Sequence, residues 1–429
     1  MVFRNCLSGT KRLCKTNMER VIEKKYLLPF ILITTLFALW GVAANMTDTL
    51  LAAFRKVMQM SDTQTTFIQM AFYGAYFCIA LPAALFIRKH SYKSGVILGL
   101  ILYATGAILF LPAAWAASYA FYLFAIYVMA TGCSVLETTS NPYILSMGSL
   151  ATATRRLNIA QAFNPIGCIM GILISKYFIL QDISLYSISG TYAALGGVLL
   201  GIMAVMLFAH MPALRPALGS EDELSLGATF GRLSQNKRYM WGVAAQFFYM
   251  GAQTGTWSFA IRLAMKELGV VEAEAANIYL AAIIGFCLSR FGYTWLMKYF
   301  APQRLLAVGA LLSAVCALVV VLTTGWTAVV ALVLASVFMS LMFPTIYGLA
   351  LGDVENPEKG GFAGDAKIGA SGLIMAILGG ALLTPLQGLL SDAAGINLSF
   401  LVPMVCFVVV LCYALYVLHQ PQHVLTNNK

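Results

Sequence analysis

The stretch "SVLETTSNPYILS", residues 134–146, contains Glu137, the only charged residue between Lys93 and Arg155. Inside an apolar helix an ionised carboxyl group costs roughly 2.5–3.5 kcal/mol on membrane-insertion scales. Such a group must face water, find a partner or bind a proton, and burial favours the neutral acid. A carboxyl that gains and loses a proton near neutral pH is what a reversible proton carrier needs. Asn141 follows four residues on, stacked on the same helical face, and Pro142 then disturbs the helix. The bland alternative is a permanently protonated Glu137 that serves as a packing hydrogen-bond donor.

Other polar residues stand in equally apolar company. In "GVAANMTDTLL", Asn45 and Asp48 are three apart and share a face, although Asp48 near a helix end could simply meet solvent. In "RRLNIAQAFNPIG", Gln161 and Asn164 repeat that spacing ahead of Pro165. Two amides offer donors and acceptors together, the equipment for reading sugar hydroxyls. Amides also join membrane helices to one another, which is the competing explanation. "AQFFYMGAQTGTWSF" sets Gln246 and Gln253 two turns apart, with Trp257 one turn further. An aromatic face beside hydrogen-bonding groups suits the C–H face of a sugar ring, while Trp also anchors helices at membrane interfaces. Arg290, in "GFCLSRFGYTWL", could pair with a carboxylate, bind substrate or snorkel; a cavity-facing role is the favoured expectation.

Elements long enough to hold these residues in lipid are evident from composition. Hydrophobic residues make up 60% and charged residues 10% of the 429, with a mean hydropathy of +0.82. Soluble domains carry about 25% charged residues, so this chain cannot clothe itself in hydrated surface. Apolar runs of spanning length fall near 27–53, 64–87, 95–116, 119–148, 157–180, 190–210, 240–265, 274–297, 305–323, 326–351, 368–390 and 397–418. Backbone groups have no partner in lipid and the runs are too long for barrel strands, so they read as helices. The expected fold is an all-α polytopic membrane protein of twelve transmembrane helices.

Basic residues set the orientation. With both termini inside, Lys24, Lys25, Arg88, Lys89, Lys93, Arg155, Arg156, Arg232, Lys237, Arg238, Lys298 and Arg304 are cytoplasmic, against mainly Arg55, Lys56, Arg262 and Lys266 outside. That bias accounts for the net charge of +10 without nucleic acid, which would want one basic stripe. Seven of nine cysteines fall within the spans, where they act as small apolar residues, and no CxxC or Cys/His cluster suggests a metal. His90, His210, His419 and His423 take loop or terminal positions with no nucleophile beside them, so a membrane enzyme lacks its constellation. The leader is too long in its apolar run for a cleaved signal peptide, and Met18 opens a normal leader of its own.

The longest polar interruption, Met211 to Met240, divides the spans six and six. This gives a leader (1–25), an N-terminal half (26–210), a cytoplasmic linker (211–239), a C-terminal half (240–419) and a cytoplasmic tail (420–429). The linker's second part reads either as a surface helix with Leu224, Leu226, Phe230 and Leu233 on one side or as a solvated strap. "ALFIRKHSYKSGVILG" (84–99) and "TWLMKYFAPQRLLAVG" (294–309) echo each other at corresponding places in the two halves. The Gly-rich "LGGALLTPLQG" (378–388) reads as a close helix approach with a kink at Pro385.

"LETTSNPY", "LNIAQAFN", "AQFFYMGAQTGTWS", "FMSLMFPTIY" and the Asn45–Asp48 segment resemble the fucose–galactose–glucose symporter group of the major facilitator superfamily. The likeness runs from about Tyr26 to the final span. Two departures stand out. Arg88 occupies the place of the family's usual Asp after the second span, and "ENPEKGGFAGDAK" (355–367) looks like a longer loop away from the sugar. The resemblance implies proton-coupled symport of L-fucose or a closely related monosaccharide, driven by the proton gradient without a cofactor. Glucose/galactose symport is the alternative, and a non-transporting sugar sensor is the alternative of another class. It implies that Asp48 and Glu137 serve proton coupling. Sugar contacts would come from Asn45, Asp48, Gln161 and Asn164 in the first half and Gln246, Gln253, Trp257, Arg290 and Tyr347 in the second. A monomer in a bacterial inner membrane is the implied setting, with sugar, protons and lipid as partners.

Overall fold

A computed structural model describes residues 21–58, 62–179, 184–209, 211–212, 225–354 and 365–420, with side chains at all of these except 47–56, 62–66, 69, 272–273 and 353. Among the described residues the chain forms twelve long helical segments, consistent with twelve spans. In the first half they are α1 (Leu27–Val57), α2 (Asp62–Lys89), α3 (Tyr92–Trp115), α4 (Tyr119–Leu145), α5 (Leu150–Ile179) and α6 (Leu185–Phe208). In the second they are α7 (Lys237–Ser258), α8 (Glu272–Leu296), α9 (Pro302–Leu322), α10 (Trp326–Gly352), α11 (Asp365–Ala394) and α12 (Ile396–His419). Eleven are long and apolar enough to cross a bilayer by composition alone; α7 falls short because of its amides and hydroxyls. No β-strand occurs among the described residues.

Apolar side chains face outward as well as inward, as they must where lipid is the solvent: Phe208 is 91% exposed and Leu389 68%. Packing repeats with a six-helix period. α1 lies on α5, α2 on α4, and α3 on α4 and α6; α7 lies on α11, α8 on α10, and α9 on α10 and α12. In both halves the first and fifth helices approach so closely that only glycine fits. A Cβ on Gly167 of α5 would sit 1.7 Å from the Ala38 carbonyl oxygen of α1, and one on Gly379 of α11 1.9 Å from the Phe247 oxygen of α7. The Gly-rich stretch of α11 therefore makes the close approach expected of it.

The halves meet mainly at the end where α4 runs into α5 and α10 into α11. There Asn158 donates to Thr345 at 3.2 Å, and the Lys367 ammonium lies 3.4 Å from the Ile87 carbonyl oxygen. Several basic residues at this end do more than bias orientation. Lys93 donates to the Leu207 and Ala209 carbonyls at 2.8 Å, capping α6. Arg156, fully buried, caps α4 at Ile144 (2.7 Å) and Leu145 (2.5 Å) and reaches Val21 at 3.1 Å.

The linker's second part is a helix, Leu226–Gln235, capped by Ser225. Its expected apolar side is split: Thr229 and Leu233 are buried while Leu226 and Phe230 are exposed, and Leu224 lies outside the described residues. A polar clamp explains the rotation. Arg232 grips the buried Asp365 carboxylate through Nε at 2.6 Å and Nη2 at 2.7 Å, with the Thr229 hydroxyl at 2.9 Å. Asp365 thus opens α11 and anchors the linker, two residues inside the stretch expected to be loop; residues 355–364 lie outside the described residues. Arg232→Ala strands that carboxylate and is expected to cost about 2–3 kcal/mol, read as a lower melting temperature in detergent, with Arg232→Lys in between.

Candidate functional site

Glu137 sits in the middle of α4, where every residue from Gly132 to Leu145 is buried. A helix buried on all sides needs neighbours all round, and α4 has α2, α3, α5 and, at its far end, α11. On the side towards α1 lies a small cavity walled by Leu36, Phe37 and Trp40 from α1 and by Leu136, Glu137 and Ser140 from α4. Glu137 is 3% exposed, and neither carboxyl oxygen makes a normal hydrogen bond; the neighbouring amide is that of Asn141, whose Nδ2 is likewise unengaged. The carboxyl is thus buried beside one amide, in a cavity otherwise walled by apolar and aromatic side chains and Ser140.

Polar groups around it come from α1, α4 and α5. Gln161 Nε2 of α5 donates to Asn141 Oδ1 at 2.8 Å. Asn164 Nδ2 donates to the Phe37 carbonyl of α1 at 3.2 Å, and Asn45 Nδ2 to the Gly41 carbonyl at 3.3 Å. Gln161 and Asn164 thus serve different partners rather than one shared face. The cause is local: the α5 helix ends at Gln161 and restarts at Asn164, ahead of Pro165. Asp48 lies on α1, but its side chain is outside the described residues.

In the second half Gln246 is fully buried, with neither amide atom hydrogen-bonded among the described residues. Trp257 Nε1 donates to Ser336 of α10 at 3.3 Å and its ring meets Phe286 edge-on, centroids 5.0 Å apart. Tyr347 is buried and stacks on Phe343, and Gln253 is half-buried. Arg290 does not snorkel. It is 3% exposed, donates to the Ser340 and Gln161 carbonyls, and lies 4.6 Å from the Phe286 ring centre.

Two neighbours of Glu137 escaped the sequence reading. Trp40 Nε1 donates to the Tyr76 hydroxyl of α2, and that hydroxyl contacts Cys133, one turn before Glu137 on α4. Nothing local marks Trp40 or Tyr76, since aromatics are common in spans; only the isolated charge at 137 could have prompted a search for what packs on it. Among the described residues no group of three His, Cys, Asp or Glu side chains could hold a metal ion.

Twelve helices in two repeating halves, with a carboxyl buried among those of the first half, call for comparison with known transporters. The Major Facilitator Superfamily model matches residues 26–373. The chain belongs to the Major Facilitator Superfamily. This facilitator is 39% identical to the L-fucose-proton symporter of Haemophilus influenzae, over 92% of this chain and 97% of that protein. It is 32% identical to the glucose/galactose transporter of Brucella abortus, over 92% and 96% respectively. It superimposes on the crystal structure of the Major Facilitator Superfamily transporter FucP in the outward conformation with a TM-score of 0.83, at 35% identity, covering 92% of this chain and 99% of that one. These are transporters and not enzymes, so the facilitator is a membrane transporter.

Proposed function

We propose that the protein carries L-fucose, or a closely related monosaccharide, into the cell together with protons. The observation that carries this reading is the buried Glu137 carboxyl on the cavity wall, in a chain 39% identical to an L-fucose-proton symporter. Glu137 and Asp48 take the coupling role. Asn45, Asp48, Gln161 and Asn164 offer hydroxyl-reading groups from the first half, residues 26–210. Gln246, Gln253, Trp257 and Tyr347 offer them from the second, 240–419.

Alternating access follows from two halves around one site: protonation admits sugar from one side, reorientation exposes it to the other, and proton release resets the cycle. Coupling requires only that proton and sugar share one conformational equilibrium. The closed α4–α5 end bears Lys89, Lys93, Arg155, Arg156, Lys298 and Arg304, which supports a cytoplasmic location for it and for both termini. A bacterial inner membrane supplies the gradient in place of a cofactor, and a single chain already holds both walls of the site, which supports a monomer.

Uptake of radiolabelled sugars into vesicles with an imposed inward proton gradient tests the reading. L-fucose is expected to accumulate and to be outcompeted poorly by disaccharides. Accumulation of glucose or galactose without response to L-fucose would support the second reading, which the 32% identity to the Brucella transporter favours. Binding without flux in any vesicle would identify a sensor.

A further inference from the structure

Arg290 bridges the two halves by a route that their prolines create. Its Nε donates to the Ser340 carbonyl of α10 at 2.6 Å, and its Nη1 to the Gln161 carbonyl of α5 at 3.1 Å. In an α-helix the carbonyl of residue i accepts from the N–H of residue i+4, and proline has no N–H to give. Pro344 stands four residues after Ser340, and Pro165 four residues after Gln161. Each half therefore presents one carbonyl that its own helix cannot satisfy, and a single planar guanidinium takes both. A lysine ammonium is a point charge and lacks that fork. None of the ion pairs among the described residues involves Arg290. A buried cation needs compensation, which here comes from two carbonyl dipoles and the face of Phe286.

We propose that Arg290 is a positioning residue: it holds the halves closed at the α4–α5 end and ties that closure to Glu137 through Gln161. Sequence reasoning expected a sugar contact at this position; the hydrogen bonds assign it to the seam instead. Gln161 faces both ways. Its carbonyl accepts from Arg290, while its amide donates to Asn141 at 2.8 Å, one turn from Glu137. The Asn141 Nδ2 and both Glu137 oxygens are unengaged in this state, so a change of charge at Glu137 changes what Asn141 must satisfy. That alters how Gln161, and hence the carbonyl gripped by Arg290, is held. The link to Glu137 rests on the proposed coupling role of that residue; the grip on the seam does not.

A cysteine reporter of the seam, read beside L-fucose binding, tests this. Ala370 is fully buried on the first turns of α11, three residues after Lys367, in the segment that packs on α2. Ala370→Cys would be placed in the full-length protein in nanodiscs, and maleimide labelling at residue 370 read by mass spectrometry. Arg290→Ala is expected to raise the labelling rate about tenfold by releasing the closed state, while L-fucose affinity stays within about threefold. Arg290→Lys should fall between. Pro344→Ala restores an N–H that competes for the Ser340 carbonyl and should also raise labelling, which keeps the test alive if Arg290→Ala fails to fold. Unchanged labelling in these variants overturns the proposal, and unchanged labelling with lost L-fucose binding returns Arg290 to the sugar. If Glu137→Gln leaves gradient-driven accumulation intact while Arg290→Ala still opens the seam, the link to Glu137 falls and the seam role stands.

Discussion

Glu137→Gln is expected to abolish accumulation of sugar against its gradient while leaving exchange of sugar across the membrane within about threefold of the parent. The amide keeps the shape and hydrogen bonding of the neutral acid in the small cavity beside Trp40 and Ser140. It cannot release a proton. Exchange needs only the loaded carrier to reorient, so it survives; net accumulation needs deprotonation on the inner side, so it does not. One pH unit is worth about 1.4 kcal/mol, a tenfold sugar gradient for one proton per sugar. In vesicles with that step the parent should approach such a ratio and the variant should stop near one. Asp48→Asn is the comparison: a residue that chiefly binds sugar loses affinity and exchange together. Full accumulation by Glu137→Gln would leave Glu137 as a packing residue.

Gly167→Ala is expected to cost more than about 3 kcal/mol, beyond the usual range for an overpacked core. The added carbon would meet the Ala38 carbonyl oxygen at 1.7 Å and its carbonyl carbon at 2.6 Å. Both are backbone, so no side chain can turn aside, and α1 and α5 must separate. The same change at Gly379 drives α11 off α7 at the Phe247 carbonyl. Yield of monodisperse protein and melting temperature in detergent are the measurements. Gly197→Ala and Gly201→Ala, with nothing within 4 Å of the added carbon, serve as controls and should behave as the parent does. Parent-like melting of Gly167→Ala would mean that the two helices do not touch as described.

The fold was legible because lipid imposes a single solution on long apolar runs, although the run read at 240–265 proves too polar to qualify as a span by composition. Glu137 was legible for the opposite reason: an isolated charge in such a run has no routine explanation. What surrounds it was not. Trp40 and Tyr76 come from other helices, and no spacing rule relates them to residue 137. Gln161 and Asn164 have the spacing of a shared face, yet the helix breaks between them, and a break at 162–163 is a property of the fold that Pro165 only hints at. Arg290 was legible as a buried cation, but its partners in this state were not. Its acceptors are main-chain carbonyls, which a reading of side-chain types overlooks, although both prolines that free those carbonyls were in plain view.

The polarity that keeps α7 from qualifying as a span by composition has a consequence for biogenesis. Partition from the translocon into lipid is decided largely by the apolarity of the segment presented, and Lys237–Ser258 offers little. Gln246 would enter lipid with a bare amide. The helices that bury α7 are α10, α11 and α12, all synthesised after it. Burial of the segment is therefore complete only once α12 has been made. A ribosome stalled before α11 would leave α7 without shelter, the natural point for quality control to recognise an unfinished carrier.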